Sequence, residues 1–198
     1  MEVTRIAIRE FLRKVDITPA RGERDVELEA RVEAITQTWT FKDKIKPHIL
    51  TGLIMANTSY AHVSDVEARV ATALYTTLFV VLDDTELFES EGAQEFWCRA
   101  CDGSLLQDDG VLAEYARVIL SMGRFYSNYS SGAILASTIR FLNGEMISNP
   151  EGKAFVDPTS LEFLDFSRDM SGCSEAFAAF IWSKGDLPDE YSYIQVCR

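Results

Sequence analysis

Apolar residues recur along most of this chain at the three-to-four-residue spacing of an amphipathic helix. Residues 3–15, for example, place Ile6, Phe11 and Leu12 on one face and their arginines elsewhere. The same spacing predicts helices over residues 24–39, 42–57, 93–100, 111–129 and 134–147. No stretch of the sequence alternates as a strand would, and no internal repeat is evident. We therefore predict an all-α fold, with residues 1–198 forming a single helical-bundle domain.

Turn-forming residues separate some of these helices. Ser130, Ser131 and Gly132 predict a break between the helices over 111–129 and 134–147. Residues 158–160, Pro-Thr-Ser, predict the start of a helix rich in aromatic residues, which residues 171–174 interrupt. Residues 187–190, Leu-Pro-Asp-Glu, predict the start of a last helix.

The most apolar predicted helix lies within residues 63–91 and leads into a group of acids. Residues 73–82 are almost wholly apolar, so we expect this helix to be buried on nearly all sides. The acids Asp83, Asp84 and Glu86 follow at once. Asp83 and Glu86 are three residues apart and are predicted to share a helix face, where like charges repel by about 0.2–0.5 kcal/mol per pair.

A bound cation would remove this conflict between burial and negative charge. Carboxylate oxygens on one helix face, completed by water and phosphate oxygens, suit Mg²⁺. The alternative is that the helix reaches the surface at Asp83 and that the acids are merely solvated. Spacing alone leaves both interpretations open.

Composition and net charge argue against several classes of function, among them nucleic-acid binding and membrane spanning. The 198 residues are 47% hydrophobic, enough for one large core. The net charge of −12, from 19 basic and 31 acidic residues, argues against nucleic acid or an anionic membrane as a partner. The longest nearly apolar run, 73–82, is well short of the roughly 20 residues of a membrane span. Without a signal or transit pattern near the N-terminus, we expect a cytoplasmic protein.

Two cysteines have the spacing of a metal or redox motif. Cys98 and Cys101 are three residues apart, but no second close pair follows, and His48 and His62 are far away in sequence. We therefore predict that these two are buried thiols on a helix rather than zinc ligands or a redox pair.

The residues around Asp83 point to a known family. Residues 80–84, VVLDD, resemble the "VLDD" segment of the fungal trichodiene synthase family of class I terpene cyclases, in which a long helix presents an aspartate-rich motif to magnesium ions. Residues 137–145, STIRFLNGE, look like that family's "STLDFFEG" helix, and residues 166–172, FSRDMSG, look like its "FLRRMNG" segment. The likeness in order and separation covers most of the chain, weakly before residue 42.

The resemblance implies an activity and a set of ligands. Members ionise an isoprenyl diphosphate with Mg²⁺ and cyclise the resulting cation in an apolar pocket, so the implied fold is a class I terpenoid synthase helical bundle. Asp83 matches the first, metal-ligating aspartate, and Asp84 matches the second. The family has an acid at the fifth motif position, where this chain has Leu87. Glu86 would then serve only by reaching over from the adjacent turn.

Three further residues are assigned by the resemblance. Arg168 corresponds to the arginine that binds the diphosphate, and its planar guanidinium suits bidentate contact with phosphate. Its alternative role is a surface ion pair with Asp165 or Asp169. Phe141 matches an aromatic residue of the substrate cavity, and Phe79, one turn before Asp83, is a second candidate for stabilising a cation. Both rings could equally be core filling.

One family motif has no counterpart here. The second metal-binding motif is expected some forty residues after the arginine, and Arg198 lies only thirty residues beyond Arg168. We therefore expect a C-terminally incomplete bundle, with an apolar face of the central helix exposed and able to associate, as in a homodimer. The sequence predicts a Mg²⁺-dependent sesquiterpene cyclase acting on farnesyl diphosphate; the alternative is a truncated, catalytically inactive remnant or a helical interaction module.

Overall fold

Every regular element among the described residues is a helix, which confirms the all-α prediction. The computed structural model describes residues 2–15, 24–90, 92–148, 160–171 and 173–186. Short 3₁₀ turns join several of the α-helices. The α-helices in these ranges are α1 (Glu2–Lys14), α2 (Val26–Thr36), α3 (Lys46–Thr58), α4 (Val66–Leu82), α5 (Thr85–Ser90), α6 (Phe96–Cys101), α7 (Val111–Ser121), α8 (Asn128–Ser148), α9 (Leu161–Ser171) and α10 (Ser174–Ala179).

Helix α4 is the centre of the core. Asp65 caps its N-terminus, because the side-chain Oδ1 accepts the backbone N–H groups of Glu67 at 2.9 Å and Ala68 at 3.4 Å. Twelve of the seventeen residues of α4 are buried. Its buried threonine hydroxyls donate to backbone carbonyls one turn earlier, so burial leaves them paired. The prediction that this helix is enclosed on nearly all sides is confirmed.

A glycine lets α3 lie directly against α4. A Cβ on Gly52 would overlap the carbonyl oxygen of Ala73 and the hydroxyl of Thr77. That hydroxyl already donates to the Ala73 carbonyl at 2.8 Å, so it has a fixed position. The two helix backbones can approach this closely because residue 52 has no side chain.

The predicted break at Ser130, Ser131 and Gly132 is wrong, because α8 begins at Asn128 and runs through all three. The chain turns earlier, after α7 ends at Ser121. Ser127 Oγ accepts the backbone N–H of Ser130 at 3.1 Å, which is the hydrogen bond of a helix N-cap. Ser131 Oγ donates to the Ser127 carbonyl at 2.7 Å, so this serine supports the first turn of the helix rather than ending it.

Two burial predictions are also wrong. The apolar face of α4 is not exposed, because α2, α3, α5 and α7 pack around it. Cys98 and Cys101 are exposed on the short helix α6, whereas Cys173 is buried. Local sequence placed the first two beside Phe96, but that ring turns inward and the thiols face outward.

Some predictions fall outside the described residues. They are the helix starting at residues 187–190, the Pro-Thr start at 158–159, and Gly172 within the predicted interruption at 171–174. Within the described ranges, no helix combines the length and the apolar character needed to cross a bilayer.

Replacing Gly52 with alanine tests the contact between α3 and α4. We expect Gly52→Ala to lower the free energy of unfolding by about 3 kcal/mol, since overpacking against fixed backbone atoms forces the helices apart. Gly123→Ala is the control, because a Cβ there meets only Ser131 Oγ, at 3.8 Å. Urea unfolding of both variants measures the difference. Equal stability of the two would show that the helices do not meet at Gly52.

Candidate functional site

The acid group lies where α4 ends and α5 begins. Asp83 follows the last residue of α4, and its backbone N–H donates to the Phe79 carbonyl at 3.0 Å. Asp84 starts the next helix, since its Oδ1 accepts the backbone N–H groups of Glu86 at 3.0 Å and Leu87 at 3.2 Å. The predicted shared helix face is therefore wrong, because Asp83 ends α4 whereas Glu86 lies in the separate helix α5. The capping bonds of Asp84 stop α4 from continuing.

The surroundings of Asp83 make ionisation of its carboxyl group less favourable than in water. Partial burial and, second, the neighbouring Asp84 carboxylate raise the pKa of Asp83 above its usual range. The carbonyl end of α4 adds negative potential to the same position. By accessible surface the side chains of Asp83, Asp84 and Glu86 are all exposed, so the burial of Asp83 is slight.

A second carboxyl group, on α8, faces the same region. Partial burial and then the negative charge of Asp83 raise the pKa of Glu145 to about 7. The field of Asp83 thus reaches Glu145 across the space between α4 and α8. Asp83 is exposed and Glu145 is half-buried, and we refer to these two residues as the acid pair.

The acid pair fits part of a Mg²⁺ shell. Both partners offer hard oxygen ligands, and a divalent cation would favour the ionised form of each. Among the described residues, no group of three or more His, Cys, Asp or Glu side chains has the arrangement of a metal site. The pair can therefore supply two protein ligands, with water and phosphate oxygens for the remainder, which is the usual pattern for Mg²⁺.

Glu145 was not among the residues predicted from the sequence. It closes the segment STIRFLNGE and is the only acid in the 21 residues of α8. A single carboxylate in a helix that has no other acid is the signal that could have identified it. Which helix it would face could not be read from spacing.

The two predicted aromatic residues are in contact with each other. The rings of Phe79 and Phe141 have centroids 4.5 Å apart, and Phe177 of α10 lies 5.4 Å from Phe79. Phe141 is completely buried, whereas Phe79 is half-buried. These rings fill the space between α4, α8 and α10, so in this structure they act as packing, with Phe79 nearest to Asp83 in sequence.

Arg168 lies on the exposed side of α9. Among the residues with described positions, it forms no ion pair with Asp165 or Asp169, so the predicted alternative is not observed. The half-buried side chains of α9 are instead Phe163, Ser167, Met170 and Ser171.

Two surface hollows lie away from these residues. One, of about 240 Å³, is lined by apolar side chains of α6, α7 and α8, including Trp97 and Leu120. The other, of about 420 Å³, lies between α2 and α3 and includes Leu50 and Ile54. Neither is lined by the acid pair or by Arg168.

The chain is similar to several fungal terpene synthases. It is 36% identical over 188 residues to Monoterpene synthase 25 of Postia placenta, covering 95% of this chain and 57% of that protein. It is 34% identical over 191 residues to Terpene synthase 29 of the same organism, covering 96% of this chain and 56% of that protein. Alpha-cuprenene synthase COP6 of Coprinopsis cinerea is 24% identical over 144 residues, covering 73% of this chain and 43% of that protein.

These relatives support a likeness to terpene synthases, and none of the three is named a trichodiene synthase. The chain spans about half the length of the curated relatives that it matches. No protein-family model matches it.

The raised pKa of Glu145 predicts a pH-dependent cost. Its folded pKa of about 7 exceeds the ordinary value of 4.5, so the folded state binds the proton more tightly than the unfolded state. Stability is therefore lost as the pH rises from about 4.5 through 7. Glu145→Gln removes this loss, and its stability relative to the original chain should rise between pH 5 and pH 8 by on the order of 1 kcal/mol, discounted for the solvent exposure of this group.

Urea unfolding at both pH values gives the difference. Glu10→Gln, which removes the same charge from an exposed position of α1, serves as the control for net charge. A pH dependence of Glu145→Gln indistinguishable from that of the original chain would mean that Glu145 is not held in this environment.

Proposed function

We propose that this chain, whose homologues are fungal terpene synthases, contributes the acid-bearing part of a Mg²⁺-dependent terpene cyclase. The observation that carries the proposal is the acid pair, in which the negative charge of Asp83, at the end of α4, raises the pKa of Glu145 on α8. Such an arrangement is unfavourable on its own and becomes favourable when a divalent cation lies between the groups.

Each candidate residue has a distinct task in this proposal. Asp83 and Glu145 would hold Mg²⁺ as carboxylates, and the charge of the ion would favour the ionised form of each. Bound there, the ion would supply Lewis-acid charge to a leaving diphosphate. Arg168 would donate two parallel N–H bonds to phosphate oxygens. Asp84 would keep α4 and α5 at their present angle through its capping bonds. Glu86, exposed on α5, is a weaker candidate ligand.

The aromatic residues would protect and stabilise the cation formed after ionisation. Phe79 lies one turn before Asp83 on α4, and the centroid of the Phe141 ring, on α8, is 4.5 Å from that of Phe79. An aromatic face attracts a cation, and apolar surroundings keep water from quenching it.

We propose farnesyl diphosphate as the substrate, on the resemblance of residues 80–84, 137–145 and 166–172 to the trichodiene synthase segments. Geranyl diphosphate is tested beside it, because one relative is named a monoterpene synthase.

A second candidate is a helical module without catalytic activity. It is favoured by the observation that the described residues bring only two carboxyl groups together, fewer than a protein-built metal cluster needs. The two candidates differ in whether the chain binds diphosphate in a Mg²⁺-dependent way.

Product formation distinguishes these functions. The 198-residue chain is incubated with farnesyl or geranyl diphosphate and Mg²⁺, and volatile products are analysed by gas chromatography with mass spectrometry. We expect a cyclic product, and we expect Asp83→Asn to lower its rate at least about 100-fold, because it removes a metal ligand. Asp109→Asn, at an exposed aspartate far from α8 in sequence, is the matched control.

Calorimetric titration with Mg²⁺ and inorganic pyrophosphate provides a second measurement that does not need turnover. Binding without product would support a partial site. Neither binding nor product would support the non-catalytic module and overturn the proposal.

A further inference from the structure

Helix α9 lies against α8 at one glycine. A Cβ placed on Gly144 would be 2.9 Å from the Cβ of Met170 and 3.3 Å from its carbonyl carbon. A separation under 3.0 Å between such atoms is not tolerated without movement. Neither Met170 atom is the free end of a flexible side chain, so an added methyl group would have to displace α9 itself.

Another glycine on the same helix shows that this closeness is local. A Cβ on Gly132 would meet nothing within 4 Å. Both glycines lower the helix propensity of α8, by about 1 kcal/mol each relative to alanine. Only at Gly144 does the missing side chain allow a neighbouring helix to approach.

A second attachment lies two turns away on α8. The Cys173 thiol donates to the Ser137 carbonyl at 3.6 Å, just after α9 ends. Ser137 and Gly144 are seven residues apart and so share one face of α8. The segment carrying α9 is thus fixed to this face at both places. Glu145 of the acid pair directly follows Gly144.

We propose that Gly144 is a positioning residue: by seating α9 on α8, it fixes the location of Arg168 relative to Glu145, so that both can engage one Mg²⁺–diphosphate unit. Arg168 lies two residues before Met170 in the same helix, so a displacement of α9 at Met170 would move Arg168 as well. This inference rests on the proposed function, and its test separates the two.

The test compares matched glycine variants of α8. Gly144→Ala should weaken the affinity for inorganic pyrophosphate in the presence of Mg²⁺ at least tenfold, while Gly132→Ala should change it less than twofold. Calorimetry gives the affinities, and far-UV circular dichroism checks the helical content. In any variant that turns over substrate, KM should rise by a larger factor than kcat falls, because the placement of the anion is what changes.

Second-site rescue identifies the contact. Met170→Gly removes the Cβ that the new methyl group would strike, so Gly144→Ala should cost at least threefold less affinity in a Met170→Gly background than alone. If Gly144→Ala fails to fold, the double variant should recover the fold. Failure to recover it, or equal effects in both backgrounds, would overturn the inference.

Hydrogen exchange tests the packing of α9 against α8 at Gly144 without any ligand. Amides of Leu161–Ser171 should exchange at least tenfold faster in Gly144→Ala than in Gly132→Ala, with α4 amides unchanged. Equal exchange in the two variants would show that Gly144 does not hold α9 against α8 and would overturn the inference. If the original chain binds no pyrophosphate, the proposed function fails and the role for Arg168 fails with it, whatever the exchange result.

Discussion

The enclosure of α4 determines where charge can be placed in this molecule. A helix that is buried over twelve of its seventeen residues has few positions at which a carboxylate meets water. The sequence places Asp83 at the first position after that helix, where the carbonyl end of α4 and Asp84 both add negative potential. Partial burial and the Asp84 carboxylate therefore raise the pKa of Asp83, although its side chain still reaches solvent. Glu145, on the far side of the same space, shares that penalty.

A carboxylate whose ionised form is disfavoured lowers the stability of the folded state, so the position of such a group can indicate a functional site. Some surface acids are paired, as Asp25 is with Arg69 at 2.7 Å, and the N-cap bond from Leu28 and then this pairing lower the pKa of Asp25. The acid pair has no equivalent basic partner among the salt bridges of the described residues. Local destabilisation that persists in a folded chain is characteristic of functional sites, where a ligand supplies the missing compensation.

Helical periodicity was sufficient to predict the fold class and the burial of α4, because both depend on apolar spacing within single segments. It was insufficient where side-chain hydrogen bonds decide between two local structures. Ser130 and Gly132 look like a turn by composition, yet the hydroxyl of Ser127 accepts a backbone N–H and starts a helix through them. Asp84 likewise acts as a cap, which separates Asp83 from Glu86. Glu145 was missed for another reason, since its environment is created by α4, more than sixty residues earlier in the chain.

The junction between α9 and α10 shows how the core and the candidate site are connected. Cys173 has φ of 42°, a left-handed conformation that costs a non-glycine residue about 1–2 kcal/mol. Its thiol is buried, and this burial raises its pKa to about 11, so it remains a neutral donor and acceptor at ordinary pH. The thiol bonds to the Ser137 carbonyl and lies 3.4 Å from the hydroxyl of Tyr75. A glycine would relieve the backbone strain but would lose both contacts.

The Tyr75 hydroxyl joins this junction to the two helices of the acid pair. It lies 2.7 Å from the Thr138 hydroxyl of α8, and Tyr75 itself belongs to α4, two turns before Asp83. A tyrosine carries one hydroxyl proton, so at any moment it donates either to Thr138 or to Cys173. Both arrangements bring α4, α8 and the start of α10 to one buried point, where a broken hydrogen bond would leave a polar group unsatisfied at a cost of about 1–3 kcal/mol. The strained backbone at Cys173 is therefore held by the same contacts that fix the spacing between α4 and α8, and with it the separation of Asp83 from Glu145.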